Sequence, residues 1–277
     1  MLEQFGYKPK KRLGQNFLMD MGAARRIARL AVEGWAPVQD AEPSALQRVI
    51  EIGAGTGQLT QALIELGADV TAIELDPEMV RVLQSRPELA NAAVLHHDAL
   101  TFDYESYGAG RPWSATGNLP YNVATPLMLK LIEMPHGPQT IVVMIQKDVA
   151  DRLVAKPSTP AYGSLTIAVQ YAMHVERAFT LGPNVFYPRP KVDSTVVRMT
   201  RRLEPAVRAR SERRFMQVVR AAFAYRRKTL ANSLSLALEL SRADVAAALE
   251  RIGLDTEIRG EQLAIGDFAR LSDALES

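Results

Sequence analysis

The 277-residue sequence contains no cysteine, which excludes disulfides, thiolate zinc sites and thiol nucleophiles. Its histidines, His96, His97, His136 and His174, lack any metal-ligand spacing, so the chemistry is expected to proceed without a bound metal. No apolar run approaches the ~20 residues needed to cross a bilayer, and Met1 to Arg12 is polar and basic with no apolar signal core. A cytoplasmic protein is therefore expected. Internal repeats and low-complexity tracts are also lacking. What is present is an ordinary globular composition, 47% hydrophobic and 23% charged, in a chain long enough for one large domain and a smaller one.

The formal net charge of +2 hides an uneven distribution. From Arg189 to Lys228, basic side chains far outnumber the acidic Asp193, Glu204 and Glu212, and Lys8, Lys10, Lys11 and Arg12 form a second basic cluster. A single run of this kind is ordinarily a solvated face. Two in one chain point to a polyanionic partner.

Short apolar runs alternate with amphipathic segments between Arg48 and Gln146. Strands are expected at Arg48 to Ile52, Asp69 to Glu74, Ala92 to His97, Trp113 to Gly117 and Gln139 to Gln146. Helices are expected at Gln58 to Leu66, Pro77 to Ser85 and Thr125 to Met134. This alternation implies an α/β, doubly wound, mostly parallel sheet that binds its ligand at the carboxyl ends of the strands. Further along, Leu165 to Met173 reads as helix, Val192 to Met199 as a strand, and everything after about Pro205 as helical. The expected division is an α/β domain over residues 1–200 and a small all-helical domain over 201–277. Ala36 to Gln47 reads as a surface loop.

Glu51-Ile52-Gly53-Ala54-Gly55-Thr56-Gly57 closes the first of these strands and opens the first helix. Its glycines permit a tight turn and close approach of a ligand to the backbone. The spacing is Gly-x-Gly-x-Gly, and Gln58 stands where a dinucleotide fingerprint requires its last glycine. An acidic residue two before the first glycine suits a cationic amino-acid moiety better than a pyrophosphate. The loop therefore points to S-adenosylmethionine more than to NAD. Glu74, about 20 residues on, is placed to accept both hydrogen bonds of a ribose diol; a surface carboxylate before a turn is the alternative. Asp98 is placed to accept from the cofactor's adenine amine, with a helix cap as the alternative.

Asn118-Leu119-Pro120-Tyr121 follows the fourth strand. An adenine amine is a poor nucleophile because its lone pair is delocalised into the ring, and a base cannot help because the neutral amine is not acidic. Two fixed acceptors can help, by drawing on the N–H bonds until the nitrogen pyramidalises. Asn118 offers a side-chain oxygen. Pro120 biases Leu119 toward an extended conformation that can aim a backbone carbonyl, and Tyr121 offers a face for a base. In isolation the four residues would read as an ordinary Asn and Pro turn.

Taken together, Lys11-Arg12-Leu13-Gly14-Gln15-Asn16-Phe17-Leu18, the glycine-rich loop, Gly117 to Asn122, Gln146 to Leu153, Phe186-Tyr187-Pro188-Arg189-Pro190-Lys191-Val192-Asp193-Ser194 and Arg226 to Leu234 resemble the bacterial ribosomal RNA adenine dimethyltransferases of the KsgA family. The resemblance implies a Rossmann-like methyltransferase domain and dimethylation of two adjacent adenosines in a hairpin loop near the 3′ end of small-subunit ribosomal RNA. It also implies a subunit precursor as partner, no membrane, and a monomeric protein. By the same resemblance Asn16, Leu18, Gly53, Glu74, Asp98 and Asn118 line the cofactor, with Gln15 to Leu18 closing over it, beside Glu51 and Gly55 expected there from the glycine-rich loop itself. Asn118, Leu119, Pro120 and Tyr121 serve the acceptor, and Phe179 forms a second aromatic wall, unless it is a core aromatic. Position 148 is Asp where the family pattern has Glu. The macrolide-resistance methyltransferases of large-subunit RNA resemble the catalytic part equally, and the Arg226 to Leu234 block favours the small-subunit enzyme. A non-catalytic RNA-binding assembly factor on the same fold is a third reading, opposed by the intact Glu74 and Asn118 to Tyr121.

Overall fold

A computed structural model of the chain describes residues 7–33 and 47–276, with the side chains of Lys11, Tyr121 and Asn122 outside the described set. The expected surface loop at 36–47 thus falls almost wholly outside the described residues. The chain divides into two compact units, Met1–Ala150 with Val175–Arg201, and Asp151–His174 with Arg202–Ser277.

The first unit is built on a seven-stranded sheet. In chain order the strands of this unit are β1 (Phe17–Leu18), β2 (Arg48–Ile52), β3 (Asp69–Glu74), β4 (Ala93–His96), β5 (Ser114–Asn118), β6 (Thr140–Gln146), β7 (Met173–Leu181), β8 (Phe186–Tyr187) and β9 (Ser194–Arg201). The large sheet runs β4-β3-β2-β5-β6-β9-β7, and β1 pairs with β8 in a separate antiparallel ribbon. Neighbours from β4 to β6 are parallel, while β9 lies antiparallel to β6. The chain moves outward from β2 to β4 and then returns to β5 on the other side of β2. The switch point, where an open α/β sheet leaves its crevice, therefore lies between the ends of β2 and β5. All but the last residue of β6 are buried, as a strand covered on both faces should be.

Helices α1 (Met21–Val32), α2 (Gln58–Glu65), α3 (Pro77–Gln84), α4 (Tyr104–Gly108) and α5 (Tyr121–Glu133) complete most of this unit. Sequence periodicity did not reveal α1. Asp20 caps it by accepting from the Ala23 N–H at 2.8 Å, and Ala24, Ile27, Ala28 and Ala31 bury one stripe against Val49, Leu63 and Val142. The helix expected from Thr125 begins four residues earlier. Pro126 lies inside it and removes one backbone donor.

The expected boundary at residue 200 needs correction. Helix α6 (Lys147–Leu153) leads into the second unit, and α7 (Ser164–Ala172) belongs to it with α8 (Glu212–Ala224), α9 (Leu230–Leu238), α10 (Arg242–Arg251) and α11 (Ile265–Ala274). The reason is apolar packing. Tyr162, Ile167 and Tyr171 share one buried core with Phe215, Leu234 and Phe268, and the Tyr171 and Phe215 rings stack at 4.8 Å. After α7 the chain passes directly into β7, whose pairing returns it to the first unit. Among the described residues, no helix is long and apolar enough to cross a membrane and no cluster of His, Asp or Glu could hold a metal ion.

Candidate active site

The ends of β2 and β5 meet under tight steric constraint. A Cβ on Gly117 would lie 2.2 Å from the Ile52 carbonyl oxygen, so only glycine lets the two strand ends approach. The loop after β2 turns at Gly55, with φ +54°, and the Phe17 ring occupies the space where a Cβ would project. Arg86, itself buried, braces this loop by donating to the Thr56 carbonyl and, at 2.9 Å, to Gln61 Oε1.

Beside this junction lies a cleft open to solvent, with a cavity of about 150 Å³. It brings together most of the expected residues. Asn16, Gly53, Gly55, Glu74, Asp98, Asn118, Leu119 and Pro120 all line it. Glu51 and Leu18 instead line a smaller adjoining cavity on the other side of Gly53 and Gly55, shared with Phe17 and Asn118.

Glu74 is 7% exposed and held by two backbone donors, the Gly55 N–H at 2.8 Å and the Asp76 N–H at 2.9 Å. Each oxygen keeps a lone pair for a further hydroxyl. Burial pushes its pKa up, against the pull of these two N–H bonds. Glu51 is 2% exposed and accepts the Thr60 hydroxyl at 2.5 Å. Burial, reinforced by the Glu74 charge, pushes its carboxyl up to about 8 despite the Thr60 bond. Such a group is suited to meet a cation in the cavity. Asp98 lines the cleft, and its Oδ1 accepts from the Leu100 N–H at 2.9 Å within a turn, where no helix begins, so the helix cap given as the alternative is not what it forms.

Asn118 donates from Nδ2 to the Asn16 carbonyl at 2.6 Å. A carbonyl can only accept, so the amide must turn its NH₂ toward Asn16 and leave Oδ1 as the outward acceptor. Leu119 is buried and its N–H is bound to Met144 O at 3.1 Å. The Pro120 carbonyl receives the N–H groups of Val123 and Ala124 at 3.1 and 3.0 Å, because it opens α5. The Tyr121 side chain lies outside the described residues.

Phe179 does not line the cleft. It packs at the edge of the core around Leu18 and Ile27, and the Arg26 guanidinium covers its ring at 3.7 Å. Two phenylalanines do line the cleft, Phe17 and Phe186, each 6% exposed and carried on the paired strands β1 and β8, where Phe186 faces Leu18 and Tyr187 faces Phe17. The signal for Phe186 was available in the sequence: it is fixed immediately before the stiff Pro188 and Pro190 segment. Sequence reasoning also did not single out Asp76, which lies between β3 and α3 and caps that helix.

The family model for ribosomal RNA adenine dimethylase matches residues 6–277. The chain is 40% identical over 277 residues to a ribosomal RNA small subunit methyltransferase A of Clostridium botulinum (strain Loch Maree / Type A3), covering 99% of this chain and 97% of the relative. It is 41% identical over 286 residues to the protein of that name in Streptococcus sanguinis (strain SK36), covering 100% and 95%. Among solved structures it resembles a dimethyladenosine transferase from Plasmodium falciparum, with TM-score 0.73, 24% identity and coverage of 92% and 95%. It also resembles a 23S rRNA methyltransferase, ErmE, with TM-score 0.69, 26% identity and coverage of 95% and 100%. With a Rossmann-like sheet, a glycine loop and paired carboxylates at one crevice, and a family match along nearly its whole length, the chain belongs to the ribosomal RNA adenine dimethylases, S-adenosylmethionine-dependent methyltransferases.

Proposed function

We propose that the protein transfers methyl groups from S-adenosylmethionine to the N6 amines of two adjacent adenosines in a loop near the 3′ end of small-subunit ribosomal RNA. The partner in this reading is a small-subunit precursor in the cytoplasm, engaged by a monomeric enzyme. The observation that carries the chemistry is the pinned Asn118 amide, which presents an oxygen at the switch point beside Glu74. The names of the relatives, both small-subunit enzymes, support that substrate over large-subunit RNA.

When bound, the cofactor supplies the electrophilic methyl group. Glu74 would take the ribose diol, Asp98 the adenine amine, and Glu51 the ammonium of the methionine moiety. Asn118 Oδ1 and the Leu119 carbonyl would accept the two N–H bonds of the target amine. The Pro120 carbonyl is already taken by α5. Reaching the amine requires an unpaired or extruded adenosine. Mass spectrometry of small-subunit RNA after incubation with enzyme and labelled cofactor tests the whole reading: dimethyladenosine at adjacent positions is expected, and unmodified RNA would overturn it.

In this reading Phe186 flanks the base and Phe179 does not. Phe186→Ala should slow methyl transfer by an amount equivalent to one lost stack, about 1–3 kcal/mol. Phe179→Ala should lower thermal stability while the single-turnover rate stays near wild type. Equal rate losses in both would return Phe179 to the site.

The basic segment after α8 is not uniform. The Arg226 guanidinium donates to the Tyr162 carbonyl at 3.0 Å and to the Pro160 carbonyl at 3.4 Å within its own unit, whereas Arg227 and Lys228 are exposed. In the N-terminal cluster, Lys10 is likewise engaged, with Asp76 and Glu78. Each phosphate contact contributes a slope of about −0.9 on duplex DNA, or about −0.7 on single strands, to log K against log salt. Replacing Arg227 and Lys228 by Gln should flatten the salt dependence of subunit binding by about one to two such contacts. Replacing Arg226 alone should chiefly lower the melting temperature. Binding titrations across salt concentrations separate the two effects.

A further inference from the structure

We propose that Asp76 is a positioning residue for methyl transfer: by fastening Tyr7, Lys10 and Gln15 it holds the Asn16 carbonyl against Asn118 and so sets the direction of the acceptor amide. The proposal deepens the reading of Asn118 given above and rests on it.

Asp76 ends the β3 turn and caps α3, its Oδ1 accepting from the Glu78 N–H at 3.0 Å. That much is an ordinary cap, for which asparagine serves as well as aspartate. The rest exceeds a cap. Lys10 Nζ donates to Oδ1 at 2.8 Å and also reaches Glu78 at 2.9 Å. Gln15 Nε2 donates to Oδ2 at 3.2 Å. The Tyr7 hydroxyl lies 2.7 Å from Oδ2 and 2.6 Å from Gln15 Oε1, so its single proton is shared between two acceptors. The Asp76 side chain has 0% exposure, and its backbone N–H binds the equally buried Glu74. Placing a second carboxylate beside the first is costly. Asparagine would cap α3 without that repulsion, so the charge needs another explanation, and the N-terminal segment supplies it. Burial alone would raise the Asp76 carboxyl, yet the bonds from Lys10 and Tyr7, with those from Glu78 and Gln15, hold it down at about 2.

The fastening reaches the chemistry by a short covalent path. Gln15 Oε1 also accepts the Lys10 backbone N–H at 2.7 Å, closing the segment on itself. Tyr7 meets Phe17 edge-on at 5.9 Å, and Phe17 lies over Gly55. Between the anchored Gln15 and the anchored Phe17 stands Asn16, whose carbonyl holds Asn118 Nδ2. With the segment released, the Asn118 amide would lose its partner and rotate freely, leaving Oδ1 without a fixed aim.

The test compares wild type with Asp76→Asn, Lys10→Met, Lys10→Arg and Tyr7→Phe in the full-length protein. Four quantities are read: cofactor dissociation constant, single-turnover methyl transfer to small-subunit RNA at saturating cofactor, amide hydrogen exchange of Asn16 to Leu18, and melting temperature. Asp76→Asn and Lys10→Met should lower the saturated rate by about tenfold or more, the scale of a modest misplacement of a reacting group, and speed exchange at Asn16 to Leu18. Lys10→Arg should restore most of the rate, and Tyr7→Phe, which deletes one oxygen, should show the same losses in smaller measure. A saturated rate unchanged in Asp76→Asn, with weaker cofactor binding alone, would overturn the proposal and leave the segment a clamp on the cofactor. Rate losses that merely follow melting temperature would overturn it too. A wild-type protein that methylates no adenosine would instead overturn the assignment of Asn118, and exchange at Asn16 to Leu18, read without RNA, tells the two failures apart.

Discussion

Asn118→Ala is expected to slow single-turnover methyl transfer by about 100-fold or more, the cost of deleting one fixed polar group aimed at a transition state. The side chain contributes at both of its ends. Oδ1 is the free acceptor beside the cleft, and Nδ2 is bound to the Asn16 carbonyl at 2.6 Å. Alanine removes the acceptor and leaves the Asn16 carbonyl unpaired in a partly buried setting. Cofactor affinity should fall much less, because Glu74 keeps its two backbone donors whatever stands at position 118. A loss in the chemical step larger than the loss in binding is the signature of an interaction made mainly in the transition state. Single-turnover rates near wild type, measured alongside cofactor titration, would remove Asn118 from the acceptor site.

The second large effect is expected at Glu51, where stability and binding oppose one another. Burial pushes its folded pKa up to about 8, well above the ordinary 4.5 of a glutamate. Between those values the folded state holds more protons than the unfolded one, so stability is greatest at low pH within this window and declines as pH rises through it. The ligand-free wild type should therefore melt at progressively lower temperature from about pH 5 to about pH 8. Glu51→Gln, which places no charge there, should remove most of that decline and melt higher than wild type above pH 8. The same substitution should weaken cofactor binding by about tenfold or more, since the buried carboxylate that would face the cofactor's cation is gone. In wild type, cofactor affinity should rise with pH below about 8, because the cation demands the ionised carboxylate and its proton must leave. Parallel melting curves for the two ligand-free proteins would overturn the raised Glu51 pKa, and a pH-independent dissociation constant would show that Glu51 does not meet the cation.

Much of the first unit was legible because its elements announce themselves locally. The first two strands of the sheet were expected at Arg48 to Ile52 and Asp69 to Glu74 and lie there, since buried parallel strands are continuous apolar runs bounded by turn residues. Asp76 and Pro77 likewise mark the start of α3. The elements that closed over the site were not legible. β1 and β8 are two residues long and hold together only by pairing with each other, so neither carries a period. β7, by contrast, begins straight after a helix, and its alternation of Met173, Val175, Phe179 and Leu181 with His174, Glu176 and Thr180 is interrupted by Arg177, so the strand period was there but broken and was passed over. The domain boundary was missed for a different reason. The membership of α7 depends on what Tyr162 and Tyr171 pack against, and that is a property of distant residues. At the site, spacing was enough to expect the glycines and Glu74 at one crevice, but that Phe179 stays outside it depends on its packing beside Leu18 and Ile27 under Arg26.

The contact between Gly117 and Ile52 bears on how the enzyme could be re-engineered. In the reading proposed above, the loop that would receive the methyl donor and the residue that would receive the acceptor hang from adjacent strands, and at their ends no side chain intervenes. The gap between donor and acceptor is therefore a property of the backbone scaffold, inherited by any variant that keeps the sheet. A designer can exchange rim residues such as Leu75, Val123 or Phe186 to admit a different amine without retuning that gap. Enlarging position 117 by a single methyl would wedge the scaffold open at the one place where no rim substitution could close it again.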